Sequence, residues 1–242
     1  MDFKDKVVFL TGANRGIGKS LLKELLGKGV RKIYATSRSL ENMENFNDER
    51  VVPIELDITN DSQVLKAVEQ AQDTQVLINN AGKIEYGGIL DSDSEKIFSD
   101  MNTNYFGTLN VMKAFVPVLE KNTPASIVNI VSIAAYSSFP FIAGYSASKA
   151  ALYSATQAVR IELLKRGVSV FAINPGAIDT DMNKGYEGEM TSSEDVAQSI
   201  IHELTGADFD IIPDKVGREM YKVWRENPLN LEKMAASMFH GE

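Results

Sequence analysis

The 242-residue sequence has no cysteine and only two histidines, and these absences exclude several kinds of chemistry. Without cysteine the chain has no disulfide, no thiolate nucleophile and no cysteine-ligated metal, which fits a reducing compartment. His202 and His240 both lie outside the motifs described below. We therefore expect neither a Ser-His triad nor a histidine-based metal site, and we predict no metal.

Clustered positive charge and long apolar runs are also missing. The formal net charge is −8, and the lysines and arginines are scattered along the chain, so a nucleic-acid or polybasic membrane surface is not expected. No stretch approaches the roughly 18 consecutive apolar residues of a membrane span. The N-terminus lacks the apolar core and cleavage site of a signal peptide. These features predict a cytoplasmic protein with no nucleic-acid and no membrane partner.

Short apolar segments alternate with longer segments of helical periodicity along the whole chain. Such a pattern is typical of a parallel sheet covered by helices on both faces. Pro53, which cannot donate a ladder hydrogen bond, places the third strand near a sheet edge. The sequence predicts an α/β, doubly wound Rossmann fold: one domain over residues 1–242, with a mostly parallel seven-stranded sheet. Within it, residues from about 180 to 242 supply a substrate loop and C-terminal helices. The strands are expected at residues 7–10, 33–36, 51–56, 76–78, 127–131, 168–173 and 209–212. The helices are expected at residues 17–26, 59–71, 94–119, 143–166, 192–204, 214–224 and 229–239.

The first predicted strand runs into a glycine-rich turn that opens the first helix, Thr11-Gly-Ala-Asn-Arg-Gly-Ile-Gly18. Gly12 permits the tight turn, Gly16 allows close approach to a pyrophosphate, and Gly18 allows close packing of helix and strand. The free N–H groups at the start of the helix attract phosphate. A glycine triplet alone is weak evidence, but its place between a strand and a helix favours dinucleotide binding.

The second strand ends without the acidic residue that would bind the ribose 2′-hydroxyl of NAD. Arg38 stands there instead, and Arg15 lies in the glycine-rich turn. Two guanidinium groups near the adenosine ribose suit a 2′-phosphate, so NADP(H) is favoured over NAD(H). The alternative, that either arginine is only a solvated surface charge, stays open.

Tyr145 and Lys149 lie four residues apart near the start of a long predicted helix, so both occupy one helix face. A free tyrosine has a pKa of about 10, which is too high for efficient proton transfer at neutral pH. A nearby lysine ammonium is expected to lower the pKa of the Tyr145 phenol. Alone, this spacing is common on helices and most such pairs are structural.

Several further motifs occur in one order along the chain. Together with the glycine-rich turn they are Asp57, Asn79-Asn80-Ala81-Gly82, Asn104 in Asn104-Tyr-Phe-Gly107, Ser132 in Asn129-Ile-Val-Ser132, the Tyr145/Lys149 pair, and Asn174-Pro175-Gly176 with Thr180. With these motifs, the sequence from about residue 6 to 180 resembles the short-chain dehydrogenase/reductase family. Motifs in this order and spacing are far more specific than any one of them.

The resemblance implies a catalytic set of Asn104, Ser132, Tyr145 and Lys149. Tyr145 would exchange a proton with the substrate oxygen, and Ser132 would hydrogen-bond that oxygen. Lys149 would lower the tyrosine pKa and hold the nicotinamide ribose. Asn104 would hold a water that links Lys149 to solvent.

The resemblance also implies the residues that bind the cofactor. Asp57 would contact the adenine with Ile58 beside the ring, and Thr180 would bond the nicotinamide carboxamide. The full predicted set is Gly12, Asn14, Arg15, Gly16, Ile17, Gly18, Arg38, Asp57, Ile58, Asn80, Ala81, Gly82, Tyr145, Lys149, Pro175, Gly176, Ile178 and Thr180.

Apolar and aromatic residues around the catalytic motifs predict a wall for a modest hydrophobic substrate. The candidates are Ala134, Tyr136, Phe141, Met182 and Tyr186. The alternative, that these residues form a subunit contact or cover the core, stays open. The short segment between Thr180 and Ser192 predicts a small lid and a fairly open site.

The expected function is NADP(H)-dependent hydride transfer between nicotinamide and a small-molecule carbonyl or alcohol, with a small hydrophobic ketone or aldehyde as the favoured substrate. A catalytically silent NADP(H)-sensing protein and an epimerase or dehydratase are the alternatives. The C-terminus lacks the family's frequent glycine-rich ending, so among homo-oligomers we favour a homodimer, with a tetramer as the alternative. Small residues on the second long helix would allow close packing of the two copies: Ala147, Ala150, Ala151, Ser154 and Ala158.

Overall fold

A computed structural model describes residues 1–206 and 208–241, and over these residues a seven-stranded parallel sheet forms the centre. The order of its strands is β3-β2-β1-β4-β5-β6-β9, and β7 pairs with β8 in a separate two-stranded ribbon. The strands are β1 (Val7–Leu10), β2 (Lys32–Ser37), β3 (Val51–Glu55), β4 (Val76–Asn79), β5 (Ala125–Ile130), β6 (Val168–Ile173), β7 (Ile178–Asp179), β8 (Thr191–Ser192) and β9 (Asp210–Ile211).

Helices cover both faces of this sheet. On one face α1 and α6 bury an apolar cluster that includes Leu22 and Ile200, and on the other α2, α4 and α5 bury one that includes Phe115 and Leu152. The helices are α1 (Gly16–Gly27), α2 (Asp61–Gln70), α3 (Ser94–Asp100), α4 (Thr108–Lys121), α5 (Ala143–Leu163), α6 (Ser193–Glu203), α7 (Lys215–Glu226) and α8 (Pro228–His240). Strands buried on both faces explain why the strand segments are continuously apolar.

The predicted doubly wound fold is confirmed, with two differences of detail. Every pairing in the central sheet is parallel, whereas the sequence predicted a mostly parallel sheet. The predicted helix over residues 94–119 is divided, because a π-helical segment, Met101–Gly107, separates α3 from α4. Apolar periodicity continues through this segment, so the pattern alone did not reveal the change in helix type.

Pro53 lies on the edge strand β3, as predicted. The Leu56 N–H just beyond this strand donates to Ser37 O of β2 at 2.8 Å. Backbone N–H and C=O groups alternate in direction along a strand, so the backbone nitrogen of Pro53 faces away from β2. On that outer side no strand is paired, and the missing N–H costs no ladder hydrogen bond.

The C-terminal helices α7 and α8 pack against the turn Ile133–Ala135 that follows β5. Met220, Leu231 and Ala235 from these helices are buried in a third apolar cluster together with Ile133 and Ala134. The C-terminal helices therefore lie next to the edge of the sheet that carries the predicted catalytic residues. Over the residues that the structure describes, no helix is both long and apolar enough to cross a membrane.

Candidate active site

The predicted site residues gather at the carboxyl ends of four adjacent strands. The glycine-rich turn follows β1, Asn80 to Gly82 follow β4, Ser132 follows β5, and Pro175 follows β6. The strand order reverses direction between β1 and β4, which opens a crevice at this edge of a doubly wound sheet. The fold therefore assembles motifs that are far apart in sequence.

The glycines of the first turn meet steric demands that only glycine satisfies. Gly12 and Gly16 have positive φ values of 68° and 50°. A Cβ at Gly18 would lie 2.0 Å from Gly12 O, and one at Gly16 would lie 3.0 Å from Thr180 Cγ2. Among the described residues no side chain caps the start of α1, so its first N–H groups face the crevice. This cradle fits a pyrophosphate.

Asn80 fixes the glycine-rich turn to the end of β4. Its Nδ2 donates to Thr11 O at 3.1 Å and to Gly12 O at 2.9 Å. In return, Thr11 Oγ1 accepts from the backbone N–H groups of Asn80 and Ala81, both at 3.0 Å. These bonds hold the turn in one conformation, which gives the Asn79 to Gly82 motif a structural role beside any cofactor contact.

Ser132 lies two residues beyond the end of β5, and α5 brings Tyr145 and Lys149 to the same place. Ser132 Oγ accepts from Ala134 N at 3.1 Å, and its side chain is buried. Lys149 Nζ donates to Ile130 O at 2.8 Å and lies 5.6 Å from the centroid of the Tyr145 ring. The structure thus brings Ser132, Tyr145 and Lys149 together beyond the end of β5.

The pKa of Tyr145 in the structure differs from the lowered pKa that the sequence predicted. Burial raises the pKa of Tyr145 to about 12, although the neighbouring Ser132 opposes this shift. Burial also lowers the pKa of Lys149 to about 8, against the charge of Asp100. The prediction that lysine lowers the tyrosine pKa is therefore wrong for the chain alone, because the desolvation of the buried phenol dominates.

Asn104 lies in the π-helical segment and binds the backbone of the segment that follows β4. Its Oδ1 accepts from Lys83 N at 2.9 Å, and its Nδ2 donates to Lys83 O and to Ser148 Oγ, both at 2.9 Å. A Cβ at Gly82 would lie 3.1 Å from Asn104 Oδ1 and 3.8 Å from Lys149 Nζ. Asn104 therefore lies next to Lys149. Its position in a π-helical segment agrees with the frequent occurrence of such segments at functional sites.

The predicted adenosine-binding residues lie at the ends of β1, β2 and β3. Arg15 and Arg38 are exposed, and Arg15 Nη1 lies 3.4 Å from Asp181 Oδ2. Asp57 Oδ1 accepts from Thr59 N at 2.9 Å and from Thr59 Oγ1 at 2.7 Å. The Ile58 side chain, 5% exposed, packs in the core rather than beside an exposed ring site.

The segment after β6 closes the other side of the crevice. Pro175 O accepts from Ile133 N at 2.9 Å, and Gly176 N donates to Asp214 Oδ2 at 2.8 Å. Ile178 is buried, whereas Thr180 touches the glycine-rich turn at Gly16. Asn14 and Ile17, in the turn itself, are half-buried.

The predicted substrate residues have different environments. The Tyr136 ring packs against Tyr153, Tyr221 and Trp224, with centroids 4.8 to 5.2 Å away, so it contributes to packing under α7. Ala134 is buried behind Ser132, while Phe141, Met182 and Tyr186 are half-buried. Tyr86, which the sequence did not single out, donates to Met182 O at 3.2 Å and joins the loop after β4 to the lid segment.

Three other residues at the site were not predicted from the sequence. Asp100 is a fully buried carboxylate, Ser148 joins Asn104 to Tyr145 O, and Asp214 caps α7 while holding Gly176. Asp214 precedes an amphipathic helical pattern, which is a cap signal that could have revealed it. Asp100 has no local signal, because its burial arises from parts of the chain that are distant in sequence.

Comparisons with known proteins identify the family of this chain. Residues 6–190 match the short chain dehydrogenase family model. An uncharacterized oxidoreductase of Staphylococcus aureus is 30% identical over 211 residues, covering 83% of this chain and 91% of the relative. A 3-ketodihydrosphingosine reductase of Bacteroides thetaiotaomicron is 33% identical over 235 residues, covering 92% and 85%. The crystal structure of a short chain dehydrogenase from Burkholderia cenocepacia in complex with NADP is 36% identical and has a TM-score of 0.93, covering 97% of this chain and 99% of that chain. The family match, which spans most of the sequence, and the shared fold establish that this chain belongs to the short-chain dehydrogenase family.

Proposed function

We propose that this chain is an NADP(H)-dependent oxidoreductase that interconverts a carbonyl and an alcohol, with Tyr145 transferring the proton. The observation that carries the proposal is the convergence of Ser132, Tyr145 and Lys149 beside a glycine cradle at one edge of the sheet. Proton transfer needs a group that is placed at the reacting oxygen and partly shielded from water. The half-buried Tyr145 phenol has this placement next to Ser132.

In the direction of reduction, the substrate carbon accepts a hydride and the substrate oxygen accepts the Tyr145 proton. Bound NADPH would supply the hydride. Ser132 Oγ donates a hydrogen bond to the same oxygen and stabilises its developing negative charge. The ammonium of Lys149 stabilises the phenolate that remains on Tyr145, and oxidation of an alcohol runs through the reverse proton transfer.

The preference for NADP(H) rests on Arg15 and Arg38. Both side chains are exposed beside the crevice, and β2 ends in Ser37 rather than in an acidic residue. An exposed, weakly restrained guanidinium can turn to a 2′-phosphate and bind it with charge-assisted hydrogen bonds. The Burkholderia cenocepacia relative in complex with NADP, which is 36% identical, supports this preference.

A hydrophobic ketone or aldehyde is the favoured substrate class. Tyr145, Phe141 and Ile142 belong to one apolar cluster that continues to Val216 and Trp224 of α7, so residues 180–242 supply part of the substrate side. The Bacteroides thetaiotaomicron relative is a reductase whose name gives a ketone substrate, which agrees with this class. We place the reaction in the cytoplasm.

Consumption of NADPH by the purified protein against ketones and aldehydes of increasing chain length tests the proposal. We expect turnover in the wild type and a loss of at least 100-fold in Tyr145→Phe, since general acid catalysis contributes roughly 10²–10⁴-fold. Tyr153→Phe is the matched control on the same helix, because the Tyr153 hydroxyl binds Asp210 rather than the catalytic set. Equal activity of wild type and Tyr145→Phe would remove Tyr145 as the proton donor.

We further propose that two copies pair through the groove between α4 and α5. This groove has a volume of about 680 Å³, and small residues such as Ala151, Ala155 and Ala158 line its α5 side. Lys113, Glu162 and Arg166 border the groove. In a dimer with a two-fold axis, Glu162 of one copy can therefore lie opposite Lys113 or Arg166 of the other copy.

Sedimentation velocity tests the dimer. Ala158→Arg introduces a large charged side chain into the groove and should convert the protein to a monomer. Gln70→Arg, on the exposed side of α2, should leave the sedimentation coefficient unchanged. A wild type that sediments as a monomer at micromolar concentration would refute the dimer.

A further inference from the structure

Asp100 is a buried acid that the proposed reaction does not use. It is the last residue of α3, one helical turn before Asn104, and its exposed fraction is 0%. Among the described residues, no basic side chain lies within 4.0 Å of its carboxylate. A carboxylate without an ion-pair partner is costly to bury, so the presence of Asp100 here calls for a reason other than stability.

The carboxylate of Asp100 joins two segments that border the catalytic residues. Its Oδ1 and Oδ2 accept from Glu85 N at 3.1 Å and 3.4 Å, which fixes the segment after β4. A Cβ at Gly144 would lie 3.1 Å from Asp100 Oδ2, so the carboxylate packs against the first turn of α5, directly before Tyr145. The N-terminus of a helix favours a negative charge at this place.

The charged groups around Asp100 come from two elements. Lys83 and Glu85 lie on the segment after β4, and Tyr145 and Lys149 lie on α5. Burial raises the pKa of Asp100 to about 6, so the carboxylate is ionised at neutral and alkaline pH. Its charge raises the pKa of Lys149, while burial alone pulls that pKa down. Burial is the main cause of the raised pKa of Tyr145, and the charge of Asp100 adds to this rise.

We propose that Asp100 is a positioning residue that supplies the buried counter-charge of Lys149 and fixes the segment after β4 against the start of α5. The inference deepens the proposed function and rests on it, because it concerns the charge that Lys149 carries during proton transfer. A protonated Lys149 stabilises the Tyr145 phenolate, whereas a neutral Lys149 does not. Asp100 thus acts on the reaction through Lys149, without touching the substrate.

The direct test is the pKa of Lys149, measured by NMR in protein labelled with ¹³C-lysine and assigned with Lys149→Met. Asp100→Asn keeps the shape and one hydrogen-bond acceptor but removes the charge. We expect the Lys149 pKa to fall by half a unit or more in Asp100→Asn. Glu85→Gln is the matched control: it removes a neighbouring carboxylate that is paired with Lys83 rather than with Lys149, and it should leave the Lys149 pKa unchanged.

An unchanged Lys149 pKa in Asp100→Asn, or an equal shift in Glu85→Gln, would overturn the proposal. If Asp100→Asn does not fold, Asp100→Ser removes the same charge with less volume and serves as the second variant. The titration requires neither cofactor nor substrate, so its result is independent of whether the protein reduces any carbonyl. A failure of the proposed function would appear only in the turnover assay.

Turnover supplies a second readout once a substrate is found. Because reduction requires a protonated Lys149, the alkaline limb of kcat/KM should move to lower pH in Asp100→Asn by the same amount as the Lys149 pKa. A merely structural role would lower kcat/KM by a constant factor at every pH. An unshifted alkaline limb would therefore contradict the proposed role of the charge.

Discussion

Gly18 lies directly against the carbonyl group of Gly12, so that a Cβ at Gly18 would stand 2.0 Å from Gly12 O. The contact joins the first turn of α1 to the end of β1 and leaves no space for any side chain. Asn80 Nδ2 binds the same carbonyl oxygen at 2.9 Å, so the oxygen cannot move away without losing this bond. The start of α1 and the end of β4 are therefore fixed to one atom.

Gly18→Ala should destabilise the protein by about 1–3 kcal/mol or more, because the inserted methyl group displaces backbone rather than a flexible side chain. Gly27→Ala is the control at the other end of α1, where no described atom lies within 4 Å of the added Cβ. It should be neutral or more stable by up to about 1 kcal/mol. Urea unfolding followed by circular dichroism measures both. Comparable stability of the two variants would contradict the contact.

Arg38→Ala should weaken NADPH binding by roughly 5- to 30-fold and leave NADH binding nearly unchanged, since a charge-assisted pair contributes about 1–2 kcal/mol at an exposed site. Arg31→Ala removes an exposed arginine that precedes β2, at its opposite end, and should change neither affinity. Quenching of protein fluorescence or calorimetry gives the dissociation constants. Equal losses for NADPH and NADH in Arg38→Ala would argue against contact with the 2′-phosphate.

Asn129→Ala should destabilise the protein by about 2–4 kcal/mol, because it breaks a buried polar network. Asn129 Oδ1 accepts from Asn79 Nδ2 at 2.8 Å, and Asn129 Nδ2 donates to Thr156 Oγ1 at 2.9 Å. The network links β4, β5 and α5, so NADPH affinity should fall as well. Asn110→Ala, which removes a surface hydrogen bond to Asp61, should cost less than about 1 kcal/mol in the same unfolding assay.

Lys149→Met should raise stability at pH 7 by roughly 2–3 kcal/mol while abolishing turnover, because a buried ammonium is costly. The pKa of Lys149 is lowered from 10.5 to about 8 in the folded protein. Between these values the unfolded state binds the proton more strongly, so wild-type stability rises with pH across that window. The greater stability of Lys149→Met relative to the wild type should therefore disappear above about pH 10.5. Urea unfolding at pH 7 and near pH 10.5 checks this, with the exposed Lys165→Met as the control. A gain that persists at high pH would show that repacking, rather than charge, is responsible.

The fold was predictable because its signals are local. Strands such as β1 and β6 are runs of apolar residues with the predicted bounds, and α1 begins at the predicted glycine-rich turn. The glycine-rich turn and Ser132 could be placed because they follow strand ends, and Tyr145 and Lys149 because their four-residue spacing puts both on one helix face. Asp100 and the packing of Tyr136 could not be predicted, since they depend on contacts with Gly144, Glu85 and α7 that arise only on folding. The raised pKa of Tyr145 is also a consequence of burial, which the spacing of two residues does not reveal.

The two margins of the central sheet have a consequence for aggregation. At one margin Pro53 offers no N–H on its outward side, and at the other β9 contains only Asp210 and Ile211 in the part of the chain that the structure describes. An extended segment of another polypeptide finds little to pair with at either margin. Growth of the sheet from one molecule to the next is therefore disfavoured, and concentrated solutions of the folded protein should resist fibril formation.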